Sequence, residues 1–167
     1  MKPLEPPDRH HVRAALGWLE LGNPAEANEE LKRVAPELQA HPAVLMIRYD
    51  IHAQAKEWGL AAEAAAGLLQ AAPDEPIAWI NLAYATRRKP SGSVPAAREI
   101  LIQAQSKFPG HSLIPFNLAC YDCQLGNLEA AKQWLSKAFA HDDAAEMKMK
   151  ALADPDLEPM WQQIREM

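Results

Sequence analysis

Residues 79 to 109 read WINLAYATRRKPSGSVPAAREILIQAQSKFP, and this stretch decides the fold. It contains two runs of helical periodicity that flank a turn, Lys89-Pro-Ser-Gly-Ser-Val-Pro95, and Pro109 follows the second run. Proline has no N–H to donate and costs about 3 kcal/mol inside a helix, so it is tolerated mainly at helix ends. The stretch therefore predicts two helices that form a hairpin.

The composition of the whole chain also favours helices. Its 167 residues, enough for one domain, include 31 alanines but only 13 β-branched residues, whereas β-sheets depend on β-branched and aromatic side chains. Most of the 14 prolines lie between stretches of helical periodicity, and Pro36 falls near the end of one. The predicted helices cover about residues 8–21, 25–38, 42–56, 60–71, 76–88, 94–107, 112–125 and 128–140.

These helices recur with a period near 35 residues. Leu21-Gly22-Asn23 recurs 104 residues later as Leu125-Gly126-Asn127. Asn81-Leu82-Ala83 recurs 36 residues later as Asn117-Leu118-Ala119. Small residues follow a similar spacing at Ala27, Ala64, Ala97 and Ala131. A fixed period built from two helices is typical of an α-solenoid, in which each unit buries its apolar face against its neighbours.

On these residues the sequence resembles the tetratricopeptide repeat (TPR) family, whose 34-residue unit reads W-x2-L-G-x2-Y, then A-x3-F, then P. The third unit matches best, with Trp79-x2-Leu82-Ala83, Ala97-x3-Leu101 and Pro109. The second matches least well and keeps Gly59 and Ala64-x3-Leu68. The resemblance implies an all-α fold: a right-handed α-solenoid of about four TPR-like helix-turn-helix units with a C-terminal capping helix or helices.

The resemblance also implies a division of the chain. We expect a flexible N-terminal tail over 1–7, four TPR-like repeats at about 8–41, 42–76, 77–110 and 111–143, and a C-terminal capping segment over 144–167. The inter-helix turn of the third repeat is about two residues longer than the period requires. Asp142-Asp143 is predicted to be a solvated helix start. The cap is expected because the open end of a solenoid needs a polar cover.

Several classes of function are disfavoured. The formal charge of -5 argues against nucleic acid as the main partner, because phosphate binding needs clustered lysine and arginine. No apolar run reaches the length of about 18 residues that a membrane span needs, and two closely spaced cysteines fit a reducing compartment. The motifs G-x-S-x-G, G-x-G-x-x-G and H-E-x-x-H do not occur. We therefore expect a cytoplasmic protein that is not an enzyme, does not insert into a membrane and uses no cofactor.

Cys120 and Cys123 form a lone C-x2-C motif. A zinc site needs two further ligands, and a redox motif is expected at the start of a helix that follows a strand. This motif lies in the middle of a predicted helix. The two thiols are therefore predicted to be packing residues, with a thiol redox or metal function as a remote alternative.

The resemblance implies a binding surface as well. In the TPR family the first helix of each unit lines a concave groove, and positions 2, 5, 9, 12 and 13 of the unit face a bound peptide. We place Gly22, Gly59 and Gly126 at position 15 of their units and Trp79 at position 4. The predicted groove residues are then Tyr49, Lys56, Ile80, Tyr84, Arg87, Arg88, Phe116, Cys120 and Gln124.

The predicted groove combines an apolar, aromatic floor with a basic cluster of Lys56, Arg87 and Arg88. Such a surface suits a peptide with apolar anchors and a carboxylate, because arginine can hold a carboxylate through two hydrogen bonds. The alternative is that the arginines only neutralise a helix C-terminus. A separate alternative is that Tyr49 and Tyr84 are core residues or are covered by the chain ends.

The sequence therefore favours a non-enzymatic adaptor that binds a peptide or helix of a partner protein. The alternative is a dedicated chaperone of a secretion or assembly-apparatus subunit, which the chain resembles in length, acidity and repeat content. Self-association through an open end of the solenoid is compatible with the same pattern.

Overall fold

The computed structural model describes residues 3–140 and 144–167. These residues form ten α-helices and two 3-10 helices, which confirms the predicted all-α class. The α-helices are α1 Asp8–Glu20, α2 Pro24–Lys32, α3 Pro42–Gln54, α4 Trp58–Ala71, α5 Pro76–Arg88, α6 Val94–Lys107, α7 Leu113–Gln124, α8 Leu128–Ala138, α9 Ala144–Ala153 and α10 Trp161–Glu166. The 3-10 helices are Pro36–Leu38 and Pro155–Met160. The predicted helix start at Asp142-Asp143 lies outside the described residues.

Prolines occupy the first turn of α2, α3, α5 and α6. Proline is tolerated there because the N–H groups of the first turn have no acceptor within the helix. The one marked departure from the predicted bounds is α2. It ends at Lys32, and Pro36 begins a separate 3-10 helix instead of ending the same α-helix. The cause is local, because the residue before a proline avoids the helical region, and Ala35 is extended with ψ of 140°.

The chain divides into two compact units, Met1–Gly92 and Ser93–Met167. In the first unit α1 packs on α2, α3 packs on α4, and α4 packs on α5, while α1 also contacts α3. Leu31 and Val44 belong to one buried apolar cluster of this unit, and Leu4 packs against that cluster. Sequential pairing of helices therefore builds the core of this unit.

In the second unit α7 lies at the centre. It packs on α6, on α8 and on the 3-10 helix Pro155–Met160, and α9 and α10 pack against that 3-10 helix. The C-terminal residues that are buried in this packing are Met147, Ala151, Leu157, Met160 and Ile164. The predicted C-terminal capping helices are therefore present, and they are part of the core.

The turn between the two helices of a repeat has the same form three times. Gly22, Lys56 and Gly126 have φ of 73°, 57° and 78°. In each turn the N–H of this residue donates to the carbonyl three residues earlier, and the next N–H donates to the carbonyl five residues before it. This is the Schellman end of an α-helix, in which glycine usually takes the left-handed position. Lys56 is therefore the equivalent of Gly22 and Gly126, and the prediction that aligned Gly59 with them is wrong by three residues.

The corrected register aligns one fully buried alanine in each of the four second helices. These equivalent alanines are Ala27, Ala61, Ala97 and Ala131. Four residues after each of them lie Leu31, Ala65, Leu101 and Leu135. The second repeat thus has alanine where the other three have leucine, and Ala61 replaces the predicted Ala64 as the residue equivalent to Ala27, Ala97 and Ala131.

Tyr49 compensates for the smaller side chain of the second repeat. It is the eighth residue of α3, and the equivalent residues of α1 and α5 are Ala15 and Ala83. Tyr49 is buried in one cluster with Ala61 and Ala65. A large side chain on the first helix therefore packs against alanines of α4, which keeps the interior close-packed.

The positive φ of Lys56 predicts that substitutions at two equivalent turn positions change the free energy of unfolding in opposite directions. Lys56→Gly is expected to raise the free energy of unfolding by about 0.5–1 kcal/mol, because glycine adopts a positive φ without steric cost. Gly22→Ala is expected to lower it by about 1 kcal/mol, since the positive φ alone strains alanine there. A Cβ at Gly22 would meet no other atom within 4 Å, so the control has no clash. Urea unfolding measures both changes, and a loss of stability in Lys56→Gly would contradict the assignment.

Candidate functional site

The first helices of three repeats belong to the first unit and begin 34 residues apart, at Asp8, Pro42 and Pro76. Their ninth, twelfth and thirteenth residues are therefore equivalent. These residues are Leu16, Leu19 and Glu20 on α1, Asp50, Ala53 and Gln54 on α3, and Tyr84, Arg87 and Arg88 on α5. We call these nine side chains the first-helix face.

The first-helix face contains a depression of about 260 Å³ between α1 and α3. Its lining residues are Leu16, Leu19, Glu20, Asp50, Ala53 and Gln54. These are the same three positions of both helices, so the depression follows directly from the repeat. Leucine and alanine side chains form its apolar part, and two carboxylates and an amide provide its polar groups.

An aromatic and cationic cluster lies on α5 and the start of α4. The rings of Trp58 and Tyr84 meet edge to face with centroids 5.7 Å apart. The guanidinium carbon of Arg88 lies 3.4 Å from the centroid of Tyr84 and 5.5 Å from that of Trp58. Arg88 also donates a hydrogen bond of 3.4 Å to the carbonyl oxygen of Tyr84. Cation–π contacts of this kind hold an arginine in one orientation.

Sequence reasoning placed Tyr84 and Arg88 in the site but missed Trp58. The fourth helix was predicted to begin at residue 60, and it begins at Trp58. The spacing of the repeat could have indicated Trp58. In the first repeat the second helix begins at Pro24, two residues after Gly22, and Trp58 lies two residues after the equivalent Lys56.

Of the other predicted residues of the first unit, Tyr49, Ile80 and Lys56 lie off the first-helix face. Tyr49 and Ile80 are buried, and Lys56 is exposed in the turn after α3. Arg87 is on the first-helix face and is partly buried. Burial, and then the nearby Tyr84 and Asp50, raise the pKa of Tyr49 to about 12, although Arg88 opposes this shift. The Tyr49 hydroxyl is therefore neutral near pH 7, as a core position requires.

The three predicted residues of α7 belong to the second unit. Phe116 and Cys120 are buried, and Gln124 is exposed. The Cys120 thiol donates to a carboxylate oxygen of Asp154 at 3.6 Å, and the Gln124 amide donates to the carbonyl oxygen of Asp156 at 3.2 Å. The protein's own C-terminal segment therefore contacts this side of α7 and leaves Gln124 exposed.

The two cysteines are buried thiols outside any disulfide. Burial, followed by the charges of Asp156 and Asp154, raises the pKa of Cys123. A thiol whose anion is disfavoured is a poor nucleophile and a poor metal ligand, which supports a packing role. Within residues 3–140 and 144–167, no three histidine, cysteine or acidic side chains are grouped closely enough to hold a metal ion.

Asp122 is a buried carboxylate that sequence reasoning did not single out. It is fully buried and accepts hydrogen bonds from Arg98 Nε at 2.9 Å, Asn127 Nδ2 at 3.0 Å and Trp134 Nε1 at 3.0 Å. The three donors come from α6, the turn after α7, and α8. Each buried polar group here has a partner, so the cluster joins these elements and leaves no group available for chemistry.

No helix in the described part of the chain is both long and apolar enough to cross a membrane.

Helix pairs that recur at 34 residues with equivalent turns define a helical repeat protein. The structure is similar to a crystal structure described as a thermophilic TPR protein in Thermus thermophilus, with a TM-score of 0.68 and 18% sequence identity over 96% of this chain and 100% of that chain. No protein-family model and no curated protein matches the sequence. At this identity the likeness is one of fold, and the chain has the TPR fold.

Proposed function

We propose that the protein is a non-enzymatic scaffold or adaptor that binds a peptide or helix of a partner protein on the first-helix face. The observation that carries this proposal is the exposure of large apolar side chains there. Leu16 is 46% exposed and Tyr84 is 37% exposed, at equivalent positions of α1 and α5. Apolar side chains that a repeat array presents together to solvent are typical of a surface that binds a protein.

Arg88 supports a partner that also carries a carboxylate. Its contacts with Tyr84 and Trp58 hold the guanidinium in one orientation, so less conformational entropy is lost when an acidic group binds. Arginine binds carboxylates in a planar, two-point geometry. The net charge of -5 also favours a protein partner over nucleic acid.

Leu16→Glu tests the proposal, with Leu21→Glu as a control at the residue that directly follows α1. Leu21 is 77% exposed and lies off the first-helix face, so both variants place the same charge on an exposed side chain of the first repeat. Full-length wild type and both variants would be used to capture partners from lysate, with circular dichroism to confirm folding. Wild type and Leu21→Glu are expected to retain the same partner, and Leu16→Glu is expected to lose at least about tenfold in affinity for it. Equal capture by all three proteins would contradict the proposal.

A further inference from the structure

The depression between α1 and α3 is acidic as well as apolar. Glu20 and Asp50 both line it, beside Leu16 and Ala53. The two carboxylates come from equivalent helices but from non-equivalent positions, so they are not a consequence of the repeat itself. Together they bring two negative charges to an apolar surface that the fold leaves open.

Among the described residues, no cation forms an ion pair with Asp50. In the described residues its carboxylate takes part in no hydrogen bond and no ion pair, and the same holds for Glu20. Asp50 is partly buried, and this burial raises the pKa of its carboxyl group. A partly desolvated carboxylate without a partner gains more from a cation than an exposed one does, because less water has to be displaced when the cation binds.

Charge complementarity decides which occupant fits. A lysine or arginine side chain has an aliphatic stem that packs on apolar surface and a charged end that pairs with a carboxylate. Leu16, Leu19 and Ala53 offer the apolar surface, and Asp50 with Glu20 offers the charges. Arg88 lies on α5, the first helix of the third repeat, and carries the opposite charge.

We propose that the depression binds a lysine or arginine side chain of the partner segment, with the cation on Asp50 and its aliphatic stem on Leu16 and Leu19. This inference rests on the proposed function and adds the chemistry of the partner to it. The bound segment then has its basic residue against α1 and α3 and its acidic residue against Arg88 on α5. Opposite charges at the two ends of the face give the segment one direction of binding.

A random dodecapeptide display library, selected on the immobilised full-length protein, tests the inference. Peptides that share a basic residue beside an apolar one are expected to be enriched. A synthetic copy of an enriched peptide is then compared with the same peptide carrying norleucine in place of the basic residue. Affinities are measured by calorimetry against wild type, Asp50→Asn and Glu29→Gln. Asp50→Asn keeps the shape of the side chain and removes its charge, and Glu29→Gln removes an exposed carboxylate of α2 that pairs with Lys32.

Asp50→Asn is expected to weaken binding of the basic peptide about tenfold and to leave the norleucine peptide unchanged, while Glu29→Gln changes neither. Enriched peptides that depend on Leu16 but have no basic residue, and that bind Asp50→Asn as well as wild type, would overturn the inference and leave the proposed function in place. If no enriched peptide loses affinity for Leu16→Glu, both the inference and the proposed function are wrong.

Discussion

Arg98→Met is expected to lower the free energy of unfolding by about 3–5 kcal/mol. The substitution leaves the Asp122 carboxylate, which is fully buried, with two neutral donors from Asn127 and Trp134. A buried charge that loses its countercharge keeps its desolvation cost without the compensating attraction. Guanidinium unfolding followed by far-ultraviolet circular dichroism measures the loss.

Lys32→Met is the matched control for this prediction. Lys32 pairs with Glu29 at 2.6 Å, but both side chains are more than half exposed. Removal of this cation is expected to change stability by about 0–1 kcal/mol, because water screens an exposed pair. The double variant Arg98→Met/Asp122→Asn is expected to be more stable than Arg98→Met, since it removes the uncompensated charge. Equal losses in Arg98→Met and Lys32→Met would show that the burial of Asp122 has no energetic consequence.

Tyr49→Ala is expected to lower the free energy of unfolding by about 3–5 kcal/mol, which is the range for deletion of a large buried side chain. The physical reason is a cavity whose buried lining is alanine, since the other buried residues of its cluster are Ala61, Ala62, Ala64, Ala65 and Ala85, with Trp58 and Leu82 only partly buried at its edge. The alanines have no side-chain length with which to fill the space. The variant therefore loses both the transfer free energy of the ring and the contacts around it.

Ala65→Leu is the second half of this test. As a single substitution it is expected to lower the free energy of unfolding by about 1–3 kcal/mol, because the larger side chain overpacks against Tyr49. Combined with Tyr49→Ala it recreates the residue pair of the first repeat, Ala15 on α1 and Leu31 on α2, which belong to one buried cluster. The double variant is expected to be more stable than Tyr49→Ala by about 1–3 kcal/mol. If the losses of stability in the two single variants simply add in the double variant, the side chains at positions 49 and 65 do not fill the same space, and the interpretation is wrong.

The helix bounds of α5 and α6 show how much local sequence decides. Both helices were predicted at 76–88 and 94–107, and the structure has the same bounds. Pro76 sets the first helix start, and the Ser93 hydroxyl accepts the Ala96 N–H at the second. These determinants act within one helical turn, so a reader of the sequence can see them without knowing the tertiary structure.

The register of the second repeat could not be predicted in the same way. A glycine at the left-handed turn position is visible in sequence, and Gly22 and Gly126 were recognised for that reason. A lysine does not indicate a left-handed turn, so the nearby Gly59 was aligned with Gly22 and Gly126 in place of Lys56. Since the side chains that face a groove depend on register, Tyr49 and Lys56 were predicted at positions that Met46 and Ala53 occupy once Lys56 is aligned with Gly22.

The sequence by itself determined that the chain is a helical repeat and where most of its helices begin and end, because proline, glycine and capping residues act on their near neighbours in the chain. Only the tertiary structure decided which side chains form the candidate site. Cys120 and Gln124 were predicted in the groove but donate hydrogen bonds to a segment more than 30 residues further along the chain, and Cys120 is buried. Burial, and the partial desolvation of Asp50, result from such packing between distant parts of the chain, which a periodic pattern does not specify.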